Sequence, residues 1–181
     1  EIKKISEKID VLFIPNIVPP KNTLKQVTQK LSENKDKFHF SVKLHPLSSV
    51  LKSYQQQIHT IDESIPIYQK GSVESYVELS DVILTSTVFA SSLLYPLILQ
   101  KPIIFCNFFN NFPPEDIEKI AFVCTDPNEL QKVIFDACQN NYKKYEDIDM
   151  FLKSFCHSTD GNSAQRITDA VVSLDNQKSS N

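Results

Sequence analysis

Three short segments hold the residues whose types and spacing suit them to chemistry. The first is Lys43-Leu-His-Pro46, a cation and an imidazole set just before a proline. Proline cannot continue a central strand, so a strand entering this segment ends here and leaves His45 at its tip. An imidazole there can donate to a phosphate oxygen, with Lys43 adding positive charge; it can equally hydrogen-bond loop backbone. The second is Thr85-Ser-Thr87, between an apolar strand and its helix. Hydroxyls and free amides at a helix start form an anion site, helped by the helix dipole. Serine and threonine are also favoured caps, and capping is compatible with phosphate binding. The third is Gln69-Lys-Gly-Ser72, where Gly71 permits close backbone approach or a plain turn. Ser91 and Ser92, one turn into the helix after Thr87, either enter the same cleft or pack small against a sheet.

Other chemistries find no support. Gly71 and Gly161 are the only glycines, so the glycine-rich dinucleotide and P-loop fingerprints are absent. Cys106, Cys124, Cys138 and Cys156 are widely spaced with no Cys-x-x-Cys pair, and no histidine has metal-ligand spacing. Nothing calls for a metal or a cofactor. A net charge of -3 with Arg166 as the lone arginine argues against a nucleic-acid partner. No Ser/His/Asp order emerges, and Asp62, Glu63, Glu115 and Asp116 read as loop or helix-start residues, so no catalytic base is identified.

The positioning elements follow from the hydrophobic pattern. Strands are expected at Asp10–Pro15, Phe38–Leu44, Ile65–Gln69, Val82–Thr85, Pro102–Cys106 and Ala121–Cys124. Helices are expected at Thr23–Asn34 with Thr23 as N-cap, Ser48–His59, Val73–Leu79, Phe89–Gln100, Asp126–Asn140, Tyr142–Phe155 and Ser163–Leu174. Asn107–Pro114 reads as a loop. Val82–Gln100 is uncharged and long enough to span a bilayer, but Thr85, Ser86, Thr87, Ser91, Ser92 and Pro96 interrupt it. A buried strand followed by a buried helix fits it better, and no transmembrane segment is expected. The alternation predicts one α/β domain over residues 1–175 and a polar tail over 176–181. Its core is a Rossmann-like open parallel sheet of about six strands with helices on both faces. In such sheets ligands bind beyond the carboxyl ends of the strands, where all three segments fall.

In their order these segments resemble the C-terminal, donor-binding domain of glycosyltransferases with two facing Rossmann domains. The nearest group carries a His-Pro motif and a paired-hydroxyl motif: capsule sialyl- and Kdo-transferases and CDP-glycerol glycerophosphotransferases. Here His45-Pro46 and Ser86-Thr87 are those motifs, and Asp160-Gly-Asn-Ser-Ala-Gln-Arg-Ile167 is similar to the tail these enzymes share with UDP-N-acetylglucosamine 2-epimerases. The resemblance implies that His45, Ser86 and Thr87 hold the donor's phosphates, with Lys43, Gly71 and Ser91 lining the site. It implies a nucleotide-activated sugar or a CDP-alcohol as ligand, in a transferase that builds a bacterial surface polysaccharide. The chain begins at Glu1 without a methionine or a secretory segment and reads as an excised piece; the resemblance implies a missing N-terminal domain that would carry the acceptor and the catalytic base. The isolated domain is expected to be inactive and cytoplasmic, with any attachment to the inner membrane made through the rest of the protein. The sequence departs from many relatives in having Ser91 or Ser92 where an acidic residue stands, and in a longer helix before Lys101-Pro102. Two other readings are a UDP-sugar 2-epimerase-like domain and a non-enzymatic interaction module using the aromatic stretch Asn107–Phe112.

Overall fold

A computed structural model describes residues 8–15, 22–46, 51–86, 93–109, 117–140, 145–156, 158 and 160–178. The strands are β1 (Ile9–Ile14), β2 (Phe38–Lys43), β3 (Ile67–Tyr68), β4 (Val82–Thr85), β5 (Ile103–Cys106) and β6 (Phe122–Cys124). The helices are α1 (Thr23–Ser32), α2 (Leu51–Ile61), α3 (Val73–Leu79), α4 (Leu94–Ile98), α5 (Ile117–Ile120), α6 (Leu130–Asn140), α7 (Tyr145–Cys156) and α8 (Ser163–Lys178). All six strands are parallel, in the order β3-β2-β1-β4-β5-β6. This is the Rossmann-like sheet read from the sequence.

Strand character follows position in the sheet. Every residue of β4 and of β5 is buried, as uninterrupted apolar runs demand when both faces are covered. In β2, by contrast, Phe38, Phe40 and Val42 are buried while His39 is exposed. The two faces have separate cores. On one, Val11, Phe13, Phe40, Val42 and Leu84 pack against Leu24, Val27 and Leu31 of α1, Ile58 of α2, and Leu130, Ile134 and Ala137 of α6. On the other, Leu12, Ile14, Ile83 and Ile103 meet Val77 of α3, Leu97 of α4, Ile117 and Ile120 of α5, and Ile148 and Leu152 of α7.

Several details differ from the sequence reading. Thr23 is not an N-cap: it is the first helical residue, and Asn22 takes the cap position with φ 69° and no side-chain capping bond. Asparagine is one of the few residues that visits this left-handed region readily. The Asp126-Pro127 signal works as expected, with the Asp126 carboxylate accepting from the Asn128 amide, but the first turn it starts is a 3₁₀ turn, Pro127–Glu129, before α6. The short helix α5 falls in a connection with no helical signal. β3 is reduced to two residues behind Pro66, which accepts from the Val42 amide at 3.0 Å but has no amide of its own to donate. α8 continues to Lys178. Among the described residues no helix is long and apolar enough to cross a membrane.

Phe13 is fully buried in the centre of the sheet. Phe13→Ala is expected to lower the unfolding free energy by about 3–5 kcal/mol, read from urea denaturation. A loss below about 1 kcal/mol would contradict this packing.

Candidate functional site at the carboxyl edge of the sheet

The strand order reverses direction between β1 and β4, and the crevice of such a sheet opens outside the carboxyl ends on either side of that point. Register sets what lies there. Ile14 pairs with Thr85 and Thr85 with Phe105, so the chain leaves β1 at Pro15, β4 at Ser86 and β5 beyond Cys106 along one edge. Thr85 is fully buried and Ser86 nearly so. β2 delivers Lys43, Leu44, His45 and Pro46 to the same edge, and β3 delivers Gln69, Lys70 and Gly71. Lys43, His45, Pro46, Gly71 and Ser86 therefore share one edge of the sheet. Thr87 and Ser91 lie outside the described residues.

The side chains divide by exposure. His45 and Pro46 are exposed at the tip of β2. Lys43, the last residue of β2, is only 4% exposed. Its Nζ donates to the carbonyl oxygens of Gln69 at 2.9 Å and Leu44 at 3.3 Å, and lies 5.7 Å from the centroid of the Tyr76 ring. Burial lowers its pKa from the ordinary lysine value. Gly71 has φ 82°, and a Cβ there would stand 3.1 Å from the Tyr76 hydroxyl. That hydroxyl donates to the Lys70 carbonyl at 3.2 Å, and the Tyr76 ring stacks on Tyr68 at 4.4 Å. The turn after β3 thus needs a glycine for its own geometry.

One residue at this edge escaped the sequence reading as a site candidate. Asn107, just past β5, is buried, and its amide donates to the Cys124 carbonyl at 2.8 Å. The available signal was a polar residue ending a wholly apolar strand. In the aromatic stretch, Phe108 packs against the first core and Phe109 is exposed, while residues 110–112 lie outside the described residues. Cys106 and Cys124, paired across β5 and β6, are free thiols. Burial pushes Cys106 well above its ordinary pKa and Cys124 up to about 12, so both stay protonated and are poor nucleophiles. Among the described residues no group of three or more His, Cys, Asp or Glu is arranged to hold a metal ion.

The Asp160–Ile167 motif is a helix-start device. Asp160 accepts from the Asn162 amide at 3.0 Å and binds both terminal nitrogens of Arg166, at 2.9 and 3.0 Å. The Arg166 guanidinium and the Asn162 amide hold the Asp160 carboxyl well below the usual carboxylate range. Gly161, with φ 77°, supplies the turn between them.

Residues 20–173 match the family described as CDP-glycerol:poly(glycerophosphate) glycerophosphotransferase. No curated protein matches the sequence. Among solved structures, S. aureus TarM, a point mutant in complex with fondaparinux, α-GlcNAc-glycerol and UDP, superposes with a TM-score of 0.57 at 15% identity, covering 95% of this chain and 36% of that one. The UDP-GlcNAc 2-epimerase of Neisseria meningitidis bound to UDP-GlcNAc gives 0.52 at 14% identity over 79% of this chain and 39% of that one. A molybdenum cofactor binding protein from Rippkaea orientalis gives 0.52 at 12% identity, covering 72% of this chain and 98% of that one. At these identities the likeness is one of fold. The chain spans under two fifths of the TarM structure and about two fifths of the epimerase.

Gly71→Ala is expected to cost about 1–2 kcal/mol from the left-handed backbone alone. Thermal unfolding monitored by circular dichroism checks it, and an unchanged melting temperature would contradict the described turn.

Proposed function

This chain belongs to the CDP-glycerol:poly(glycerophosphate) glycerophosphotransferase family, and on that premise we propose that it is the donor-binding half of a transferase that extends a bacterial surface glycopolymer. The donor is a CDP-alcohol, CDP-glycerol in the first instance. The observation that carries this reading is a coincidence. The family match runs through residues 20–173, and within it the His-Pro and hydroxyl segments come to one carboxyl edge at the point where strand order reverses.

The reaction asks little covalent chemistry of this half. An acceptor hydroxyl oxygen attacks the glycerol-bearing phosphorus of the donor and forms a new P–O bond. The bond from that phosphorus to the bridging oxygen breaks, CMP departs with the electron pair, and the hydroxyl proton passes to a base. Negative charge builds on the departing phosphate, where preorganised donors are most effective. His45 at the tip of β2 donates from one side, and Ser86, where the chain leaves β4, donates from the other. Gly71 lines the same crevice. The acceptor site and the base belong to a companion N-terminal domain, so this half alone does not turn over. The domain works in the cytoplasm, where a nucleotide-activated donor is at hand.

The likeness to a UDP-GlcNAc 2-epimerase favours a second reading, binding of a UDP-sugar at the same edge. Calorimetric titration with CDP-glycerol, CMP, CDP, UMP and UDP separates the two. Selective cytidine binding is expected, weakened about tenfold to a hundredfold in His45→Ala by loss of one bond to a charged group. Uridine selectivity would move the assignment to UDP-sugar chemistry. Absence of binding by a folded chain would contradict donor capture by this half.

A further inference from the structure

His45 is exposed, yet the residues on either side of it are tied down. The Leu44 amide donates to the Tyr68 carbonyl at 2.8 Å, and the Leu44 carbonyl accepts from the Lys43 ammonium at 3.3 Å. The Pro46 carbonyl accepts from Gln69 Nε2 at 3.1 Å. The Lys43 ammonium also holds the Gln69 carbonyl at 2.9 Å, so the residue that fixes Pro46 is fixed in turn. Beneath the ammonium lies the Tyr76 ring, itself stacked on Tyr68 and anchored to the Lys70 carbonyl. A lysine buried this deeply sets its desolvation cost against two carbonyl dipoles and an aromatic face.

From this we infer that Lys43 and Gln69 are positioning residues that clamp the Leu44–Pro46 segment and so aim the His45 imidazole. Lys43 acts through His45 and does not touch the donor. Its ammonium is spent on the exits of β2 and β3, and it joins the loops of two strands that each lie on the same side of the switch point. This deepens the donor-binding reading and rests on it for what His45 meets.

The test is a double-mutant cycle on this chain with CDP as titrant. Lys43→Met removes both carbonyl bonds while keeping an unbranched side chain, and is expected to weaken CDP binding about tenfold. In a His45→Ala background the same change is expected to have less than about a twofold effect, and the dependence of log Kd on log salt is expected to keep its slope in the single variant. Additive effects, or a slope lowered by one charge, would overturn the inference by placing Lys43 directly on phosphate or in a general stabilising role. Gln69→Leu, at a half-buried site, gives a second route should Lys43→Met fail to fold, with the same non-additivity expected. The clamp also has a readout without nucleotide. Exchange of the Leu44 amide is expected to rise at least about tenfold in either variant relative to Leu84 in β4, and unchanged protection would overturn the clamp. A chain that shows this exchange change but binds no cytidine nucleotide would sink the donor reading and leave the clamp standing.

Discussion

Val11 to Ile14 lie in parallel register against Val82 to Thr85, all of them buried, and every other strand is added outward from that pair. β2 and β3 extend the sheet on one side and β5 and β6 on the other. Because the order of growth reverses there, the helices that follow β1 and β4 lie on opposite faces of the sheet. α1 then lies over one core, and α3 and α4 over the other. The crevice at that switch point is a product of topology, and slipping β4 by one residue would turn Thr85 and Ser86 to the wrong faces.

Placement of polar groups points to the same edge. The buried polar side chains among the described residues are Thr23, Thr28, Lys43, Ser80, Thr85, Ser86 and Asn107. Thr28 and Ser80 bond to helix carbonyls one turn back, at Leu24 and Tyr76, and so are explained by local structure. Lys43, Thr85, Ser86 and Asn107 all stand where strands end on the carboxyl side. Burial of polar atoms is costly without partners, so a fold that concentrates them at one edge gives that edge its hydrogen-bonding character. The opposite edge uses exposed pairs such as His39 with Asp10, at 3.1 Å, which solvent screens.

Much of this was legible in the sequence, for physical reasons that vary by element. β4 and α3 fall where the pattern places them, because a β-branched apolar run and a short amphipathic turn bounded by Gly71 and Ser80 leave little choice. Thr23 misled because a threonine before an apolar stripe is a cap by statistics, whereas Asn22 accepts the left-handed backbone that the entry needs. α5 carried no periodic signal in its four residues. At the site, His45 and Ser86 were visible from the proline and the strand end beside them. The engagement of Lys43 was not, since its partner carbonyl at Gln69 is 26 residues away and reaches it only when β2 and β3 pair. The Asp160–Arg166 motif was recognisable as a motif, but its work in starting α8 needed the geometry.

The proposed donor site places a cytidine diphosphate group on the carboxyl edge between the tips of β2 and β4. Amide chemical-shift mapping of the ¹⁵N-labelled chain during titration with CDP tests it most directly. Saturable shifts concentrated at residues 43–46, 69–71, 86 and 107 are expected. Shifts centred instead on the amino edge, around Asp10, His39 and Asp81, or no saturable shifts in a folded chain, would contradict it.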